Sequence, residues 1–256
     1  MASEEIPKED LANQTEAPTP PDTSSGTTTE QSPKMSAFIV GYTGEVGKEL
    51  VRQLAKTNTF GKVLLIGRRK VEYKDEDIAN NPAIKQVLVN FDELEKSKDS
   101  FEGVDVGFCC LGTTKGRAGK EGQWKVDHDY AVKSAELAKE GGCKQFHLVS
   151  SMGANSKSMV FYNKLKGQTE DDVKAVGIAR TSIYRPGGLM CDREDFRLVE
   201  WIGRKTLTPM DYFFPGVITN ATSIVAKAMI NNVTKTTDSP SETFEPKGIH
   251  KLGTEQ

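Results

Sequence analysis

Tyr162 and Lys166 stand four residues apart in the run Tyr162-Asn-Lys-Leu-Lys166. At that spacing two side chains share a helix face, so an ammonium can lie beside a phenol and favour its ionised form. A phenol so placed can give a proton to a developing alkoxide or take one back. Tyr130 and Lys133 lack the spacing. The address matters as much as the pair. It follows an apolar run ending Leu148-Val-Ser150-Ser151, and a serine hydroxyl there can donate a hydrogen bond to the reacting oxygen. Ser150 precedes Tyr162 by 12 residues and Ser151 by 11. Helix phasing must choose between them, and Ser150 is the expected donor beside Tyr162 and Lys166.

A second cluster lies upstream. The apolar run Ala37–Val40 leads into Gly41-Tyr-Thr43-Gly44-Glu45-Val46-Gly47 and then into Lys48-Glu-Leu-Val-Arg-Gln-Leu, which is helical in pattern. Glycines three apart permit a tight turn, the approach of a phosphate to backbone amides, and close helix–strand packing, while the helix N-terminus adds a favourable dipole. Strand, triplet and helix coincide here, which argues against a mere turn needing positive φ. The pyrophosphate of a dinucleotide is expected on this loop. The nucleotide-hydrolase pattern GxxxxGK[ST] fails, because Val46 stands five after Gly41 and Glu49 follows Lys48.

The next apolar run ends Leu65-Ile-Gly67-Arg68-Arg69-Lys70. A site for NAD usually places an acid about 20 residues past the loop to hold the ribose 2′-hydroxyl. Two arginines stand here instead. Their charge and forked donors suit a 2′-phosphate, so NADP(H) is expected over NAD(H). Asp92, in Val89-Asn-Phe-Asp92, is a candidate for the adenine amino group. The run Cys109-Cys110-Leu111-Gly112-Thr113-Thr114 would line the cofactor with small residues, its cysteines being buried strand residues rather than redox groups. The four Cys and three His have no metal-ligand spacing, so no metal site is expected.

These residues need a scaffold. Short apolar runs at Ala37–Val40, Val63–Ile66, Gln86–Asn90, Asp105–Leu111, Gln145–Val149 and Thr181–Tyr184 alternate with helical patterns at Glu45–Thr57, Asp92–Lys98, Val126–Lys139 and Phe161–Val176. Continuously apolar strands suit burial on both faces. The order therefore reads as an α/β fold, a Rossmann-like doubly wound parallel sheet. The glycine-rich stretch Lys115–Gly122, with Lys115, Arg117 and Lys120, reads as a flexible basic loop near the site. Beyond Arg185 the rhythm stops until a helix at Thr222–Val233. Residues 186–256 are expected to form a small C-terminal substrate or cap region, with Tyr212-Phe-Phe-Pro215 as a cap cluster or else an exposed interaction patch, the packed reading being favoured.

Composition narrows the classes. The 256 residues hold 34 Lys and Arg against 36 Asp and Glu. That balance gives no electrostatic reason for a nucleic-acid partner, and no apolar run approaches the roughly 20 residues of a membrane span. Residues 1–34, with five Pro, six Thr, four Ser and seven acids against two Lys, read as a disordered acidic tail. The tail carries net −5, which leaves net +3 on residues 35–256, the NAD(P)-binding body with its cap. An acid-rich start without Arg or an apolar stretch is neither a secretory signal nor a transit peptide. A cytoplasmic protein is expected, with access to the nucleus open.

Together the loop, the Ser-Ser strand end, YxxxK and Tyr184-Arg-Pro-Gly-Gly188 resemble the short-chain dehydrogenase/reductase superfamily, in an atypical, extended-like branch, over about residues 36–253. The segments IVGYTGEVG, LIGRRK, DVGFCCLGTTKGRAGKEG, VDHDYAVKSAELAKEGGCKQFHLVSS and RPGGLMCDRE carry the closest likeness. The resemblance implies an NADPH-binding domain with Thr43, Gly44, Glu45 and Val46 in the loop and Arg68 and Arg69 at the 2′-phosphate. It implies Leu111 and Gly112 along the cofactor, Tyr162 as proton donor or acceptor, Lys166 on the nicotinamide ribose, and Leu189 and Arg197 as later cofactor contacts. It also implies a branch tied to apoptosis, transcription and nuclear import, hence regulatory protein partners. Two functions compete: NADPH-dependent reduction of a small carbonyl substrate, and an NADPH-binding regulator or scaffold with little catalysis. The substrate and the oligomeric state stay open.

Overall fold

In strand β1 (Met35–Val40) every side chain from Ala37 onward is buried, on alternating faces: Ala37 and Ile39 enter one core, Phe38 and Val40 another. The structure is a computed structural model that describes residues 34–57, 59–190 and 219–255. After β1 come α1 (Glu45–Lys56), β2 (Phe60–Gly67), α2 (Glu76–Ala79), β3 (Ile84–Leu88), a 3₁₀ segment (Phe91–Ser100) and β4 (Val106–Cys109). Then follow α3 (Lys115–Trp124), a π turn (Lys125–Asp129) running into α4 (Tyr130–Glu140), β5 (Gln145–Val149), α5 (Phe161–Val176), β6 (Arg180–Tyr184) and β7 (Gly188–Met190). The last elements are β8 (Thr219–Ala221), α6 (Thr222–Val233), β9 (Ser241–Phe244) and α7 (Pro246–Thr254).

Seven strands pair in parallel in the order β3-β2-β1-β4-β5-β6-β9, and β7 and β8 form a separate parallel pair. A strand buried on both faces needs helices above and below it. Helix α1 supplies one layer through Val46, Leu50, Val51 and Leu54, and α6 and α7 join it through Val225, Met229 and Ile249. On the other face α4 and α5 contribute Ala131, Ala135, Ala138 and Val173, packed with Phe38, Phe101 and Phe146. Gly107 leaves room for those rings, since a Cβ there would lie 2.5 Å from Phe38 Cζ.

The chain steps outward from β1 to β3 and then returns to lay β4 against the other edge of β1. Such a reversal opens a crevice at the carboxyl ends of the strands. The turns after β1, β2, β3, β4 and β5 all lie at that end, so the fold gathers most of the sequence candidates there.

Several elements differ from the sequence reading. Lys115–Gly122 is no flexible loop: it is helix α3, broken at Gly119, where φ is +70°. Strand β3 begins two residues earlier than expected, and the Val126–Lys139 helix opens with the π turn. The short α2 and the edge strand β9 had no strong apolar period to announce them, and the terminal α7 went unread although its Ile249 and Leu252 share a buried face. The Thr222–Val233 helix stands as read. Residues 1–33 and 191–218 lie outside the described residues, and with them the acidic tail, Cys191, Arg197 and the Tyr212–Pro215 cluster. No helix among the described residues is long and apolar enough to cross a membrane.

Candidate functional site

The glycine turn is built as a phosphate cradle would require. Gly41 has φ +82°, and a Cβ on it would lie 2.4 Å from the carbonyl of Cys110 at the end of β4. Only glycine fits. Gly47 packs the start of α1 onto the turn, with a Cβ there falling 2.3 Å from Gly41 O. Gly44 is different. Its φ of −79° suits any residue, and a Cβ would meet only Gly41 O at 3.4 Å and Cys110 O at 3.8 Å. The protein itself does not demand glycine there; a group approaching the amides from outside would. No side chain caps α1, and Val46 is buried in the core. Thr43 and Glu45 are half-buried at the turn, with Glu45 held by Lys48 at 3.2 Å.

Beside the turn, Tyr42 ties the first two strand ends together. Its ring is buried under Gly67, and its hydroxyl donates to Arg69 O at 2.5 Å. Gln86 of β3 completes the clamp by accepting from Val71 N and donating to Val71 O, both at 2.8 Å. The backbone at residues 68–71 is thus pinned while the side chains of Arg68 and Arg69 stay exposed. Neither guanidinium forms an ion pair among the described residues. A dianionic group would find both available.

Asp92 is already engaged. It accepts from Lys125 Nζ at 2.6 Å and from the Tyr130 hydroxyl, and these partners hold its carboxyl below the usual range. It remains half-exposed beside a cavity of about 420 Å³ that Phe91, Lys125, His128 and Tyr130 also line. Cys109 is buried, and burial pushes its thiol up to about 11. Leu111 is half-buried and Gly112 exposed; a Cβ on Gly112 would meet only the Asp127 carboxylate, at 3.9 Å.

Tyr162 and Lys166 occupy the first two turns of α5 in unlike settings. Tyr162 is 39% exposed, and its hydroxyl has no hydrogen-bond partner among the described residues. Lys166 is buried, its Nζ 3.2 Å from Asp127 Oδ2. Burial alone would pull the ammonium down. Against it the Asp127 carboxylate, Tyr162 and Cys109 act together and hold the pKa above the ordinary lysine value.

Ser150 faces inward. It is 6% exposed, and its hydroxyl donates to Glu170 Oε1 at 2.5 Å. Ser151 is half-exposed, its hydroxyl occupied only by a long 3.4 Å bond to Met152 O. Glu170 is itself gripped by Arg185, which also reaches Glu245. The open end near Tyr162 has an apolar side, Met152, Met159 and Val160, all exposed. Helix α3 flanks the start of α5, with Lys120 Nζ 5.8 Å from the Phe161 ring centre. Leu189, on β7, is 39% exposed. Tyr42, Asp127 and Glu170 escaped sequence reasoning, because their partners lie 27, 39 and 20 residues away in the chain and no motif links them.

Comparison with known proteins gives the same direction. The family model described as NAD(P)H-binding matches residues 41–200. Protein HTATIP2 of Rattus norvegicus is 43% identical over 219 residues, covering 85% of this chain and 89% of that protein. Protein FMP52, mitochondrial, of Eremothecium gossypii is 40% identical over 161 residues, 62% of this chain and 69% of that protein. Among solved structures, MoeE5 in complex with UDP-glucuronic acid and NAD superposes with a TM-score of 0.64 at 13% identity, covering 82% of this chain and 76% of its own. The UDP-Glc/GlcNAc 4-epimerase of Campylobacter jejuni gives 0.62 at 14% identity, covering 85% and 82%. At such identities these two attest the fold.

Proposed function

Because this chain belongs to the NAD(P)H-binding family and is a homologue of HTATIP2, we propose that it is an NADPH-dependent oxidoreductase of the short-chain dehydrogenase/reductase type, reducing a carbonyl substrate. The observation that carries the reading is the meeting, at one end of the sheet, of a glycine turn with room at Gly44 and an α5 face bearing open Tyr162 above buried Lys166. Gly41, Thr43, Gly44, Glu45, Val46 and Gly47 would receive the pyrophosphate through backbone amides and the helix dipole. Arg68 and Arg69, without an ion pair among the described residues, support a 2′-phosphate and thus NADP(H) over NAD(H). Leu111, Gly112, Leu189 and Arg197 would follow the rest of the cofactor, and Asp92 would reach the adenine only by sharing its carboxylate with Lys125.

When bound, NADPH supplies a hydride. The chain's own part is proton handling and orientation. The exposed hydroxyl of Tyr162 gives a proton to the carbonyl oxygen as charge builds there, and Ser151, in place of Ser150, donates a hydrogen bond to the same oxygen. Lys166 orients the nicotinamide ribose and keeps a positive charge beneath Tyr162. Exposed Met152, Met159 and Val160 offer the substrate an apolar rim. We place this activity in the cytoplasm, with access to the nucleus, although the yeast relatives are named mitochondrial.

Following NADPH absorbance over aldehydes, ketones and quinones, with Tyr162→Phe as control, tests the reading. Turnover abolished by Tyr162→Phe is expected. Tight NADPH binding without turnover of any compound would leave a cofactor-binding regulator with protein partners, and binding of neither nicotinamide coenzyme would overturn both.

A further inference from the structure

We infer that Asp127 is the positioning residue of this site: one buried carboxylate bridges Thr113 and Lys166 and so holds the lysine against the Leu111–Thr113 segment. The inference rests on the role proposed for Lys166 and extends it to a residue to which neither spacing nor resemblance assigns a role. Asp127 Oδ1 accepts from Thr113 N at 2.7 Å, while Oδ2 lies 3.2 Å from Lys166 Nζ. The two side chains are 2% and 7% exposed. The surroundings reinforce both ends. Gln123 Nε2 donates to Thr113 O at 3.1 Å, and Thr169 of α5 donates its hydroxyl to Asp127 O at 3.2 Å.

Burying an ion pair is a poor route to stability, since apolar residues of similar size usually do as well. Its presence beneath the candidate catalytic face therefore asks for another purpose. The charged and titratable groups facing Lys166 are Asp127 from the π turn, Tyr162 from α5 and Cys109 from β4. Of these, only Asp127 is both an acid and within ion-pair distance. Without it, Lys166 would be a lone buried cation, and burial would drive it towards the neutral amine. Asp127 sits on a π turn, an irregularity common at functional sites. From there it links the β4 exit to α5, so the segment along the cofactor and the lysine that meets its ribose share one anchor.

Asp127→Asn keeps an acceptor for Thr113 N and removes the charge. The first readout is thermal unfolding from about pH 7 to pH 10. In the wild type, folded Lys166 keeps its proton, so this residue adds nothing to stability as pH rises through that window. In the variant the folded lysine has shed its proton while the unfolded chain still binds one, so the unfolding temperature rises with pH. The second readout is NADPH affinity by fluorescence titration. The variant loses about tenfold in affinity between pH 7 and pH 9, and the wild type keeps its value within about threefold.

Asp127→Asn combined with Lys166→Gln leaves no lone charge, so it should fold even where the single variant fails, and it should lose the alkaline rise in stability. An Asp127→Asn protein with wild-type pH dependence in both readouts would overturn the inference, as would a double variant less stable than the single one. A wild-type protein that binds no NADPH sinks the proposed function instead, and the unfolding series still decides whether Asp127 and Lys166 act as one unit.

Discussion

The Ser150 hydroxyl donates to Glu170 at 2.5 Å, and Arg185 holds the same carboxylate through Nε at 2.9 Å and Nη2 at 2.6 Å. One of two adjacent serines is thereby committed to joining the end of β5 to α5 and the end of β6. Ser151→Ala should lower kcat/KM by about 10²-fold with little change in unfolding temperature. Ser150→Ala should keep turnover within about threefold and cost about 1.5–3 kcal/mol of stability, the worth of a hydrogen bond to a charged group. Steady-state kinetics beside thermal unfolding checks this, and the reverse pattern would return the catalytic role to Ser150.

Gly41 and Gly44 should part company on substitution. Gly41→Ala meets both a positive φ and the Cys110 backbone, so a poorly folded protein is expected. Gly44→Ala meets neither obstacle, so it should fold within about 1 kcal/mol of the wild type and lose at least about tenfold in NADPH affinity. Calorimetry on the folded Gly44→Ala protein decides; unchanged affinity would mean that no phosphate approaches these amides.

Replacing Arg68 and Arg69 together by Ala should weaken NADPH by about ten- to a hundredfold and leave NADH nearly unchanged, since only the 2′-phosphate loses its partners. Equal loss for both coenzymes, measured by competitive titration, would assign the arginines a role elsewhere.

Acid should expose a cost carried by His147. Burial, aided by the Arg180 guanidinium, pushes its imidazole down to about 3 from the ordinary 6.5. Folded His147 stays neutral while the unfolded chain takes up a proton between those values. Stability therefore falls as pH drops from 6.5 towards 3, by about 1.4 kcal/mol per pH unit from this residue alone. His147→Gln should flatten that decline in a series of urea unfolding curves; an identical slope would mean that other groups govern it.

How much was legible follows from how far each signal reaches. The sheet was readable because parallel strands covered on both faces leave unbroken apolar runs such as Phe38-Ile-Val40, and the glycine turn because its three constraints are local. Helix α3 was misread as a loop because Gly116, Gly119 and Gly122 lower helix propensity, and only packing beside Trp124 and Phe161 overrides them. Strand β9 is a short edge, Ser-Glu-Thr-Phe, whose pairing with β6 is decided in three dimensions. The shared α5 face of Tyr162 and Lys166 was readable from their helical spacing. The orientation of Ser150 did not, because a carboxylate at Glu170, on a different element, decides which way its hydroxyl turns.

Tyr42 grasps the peptide of Arg69 and leaves its guanidinium alone. Residues 68 and 69 can therefore be exchanged without moving the tip of β2, since the hydroxyl finds the same carbonyl whatever side chain follows. Descendants of this chain are free to drift in charge at that tip, and so in the anion they tolerate, while inheriting an unaltered strand exit.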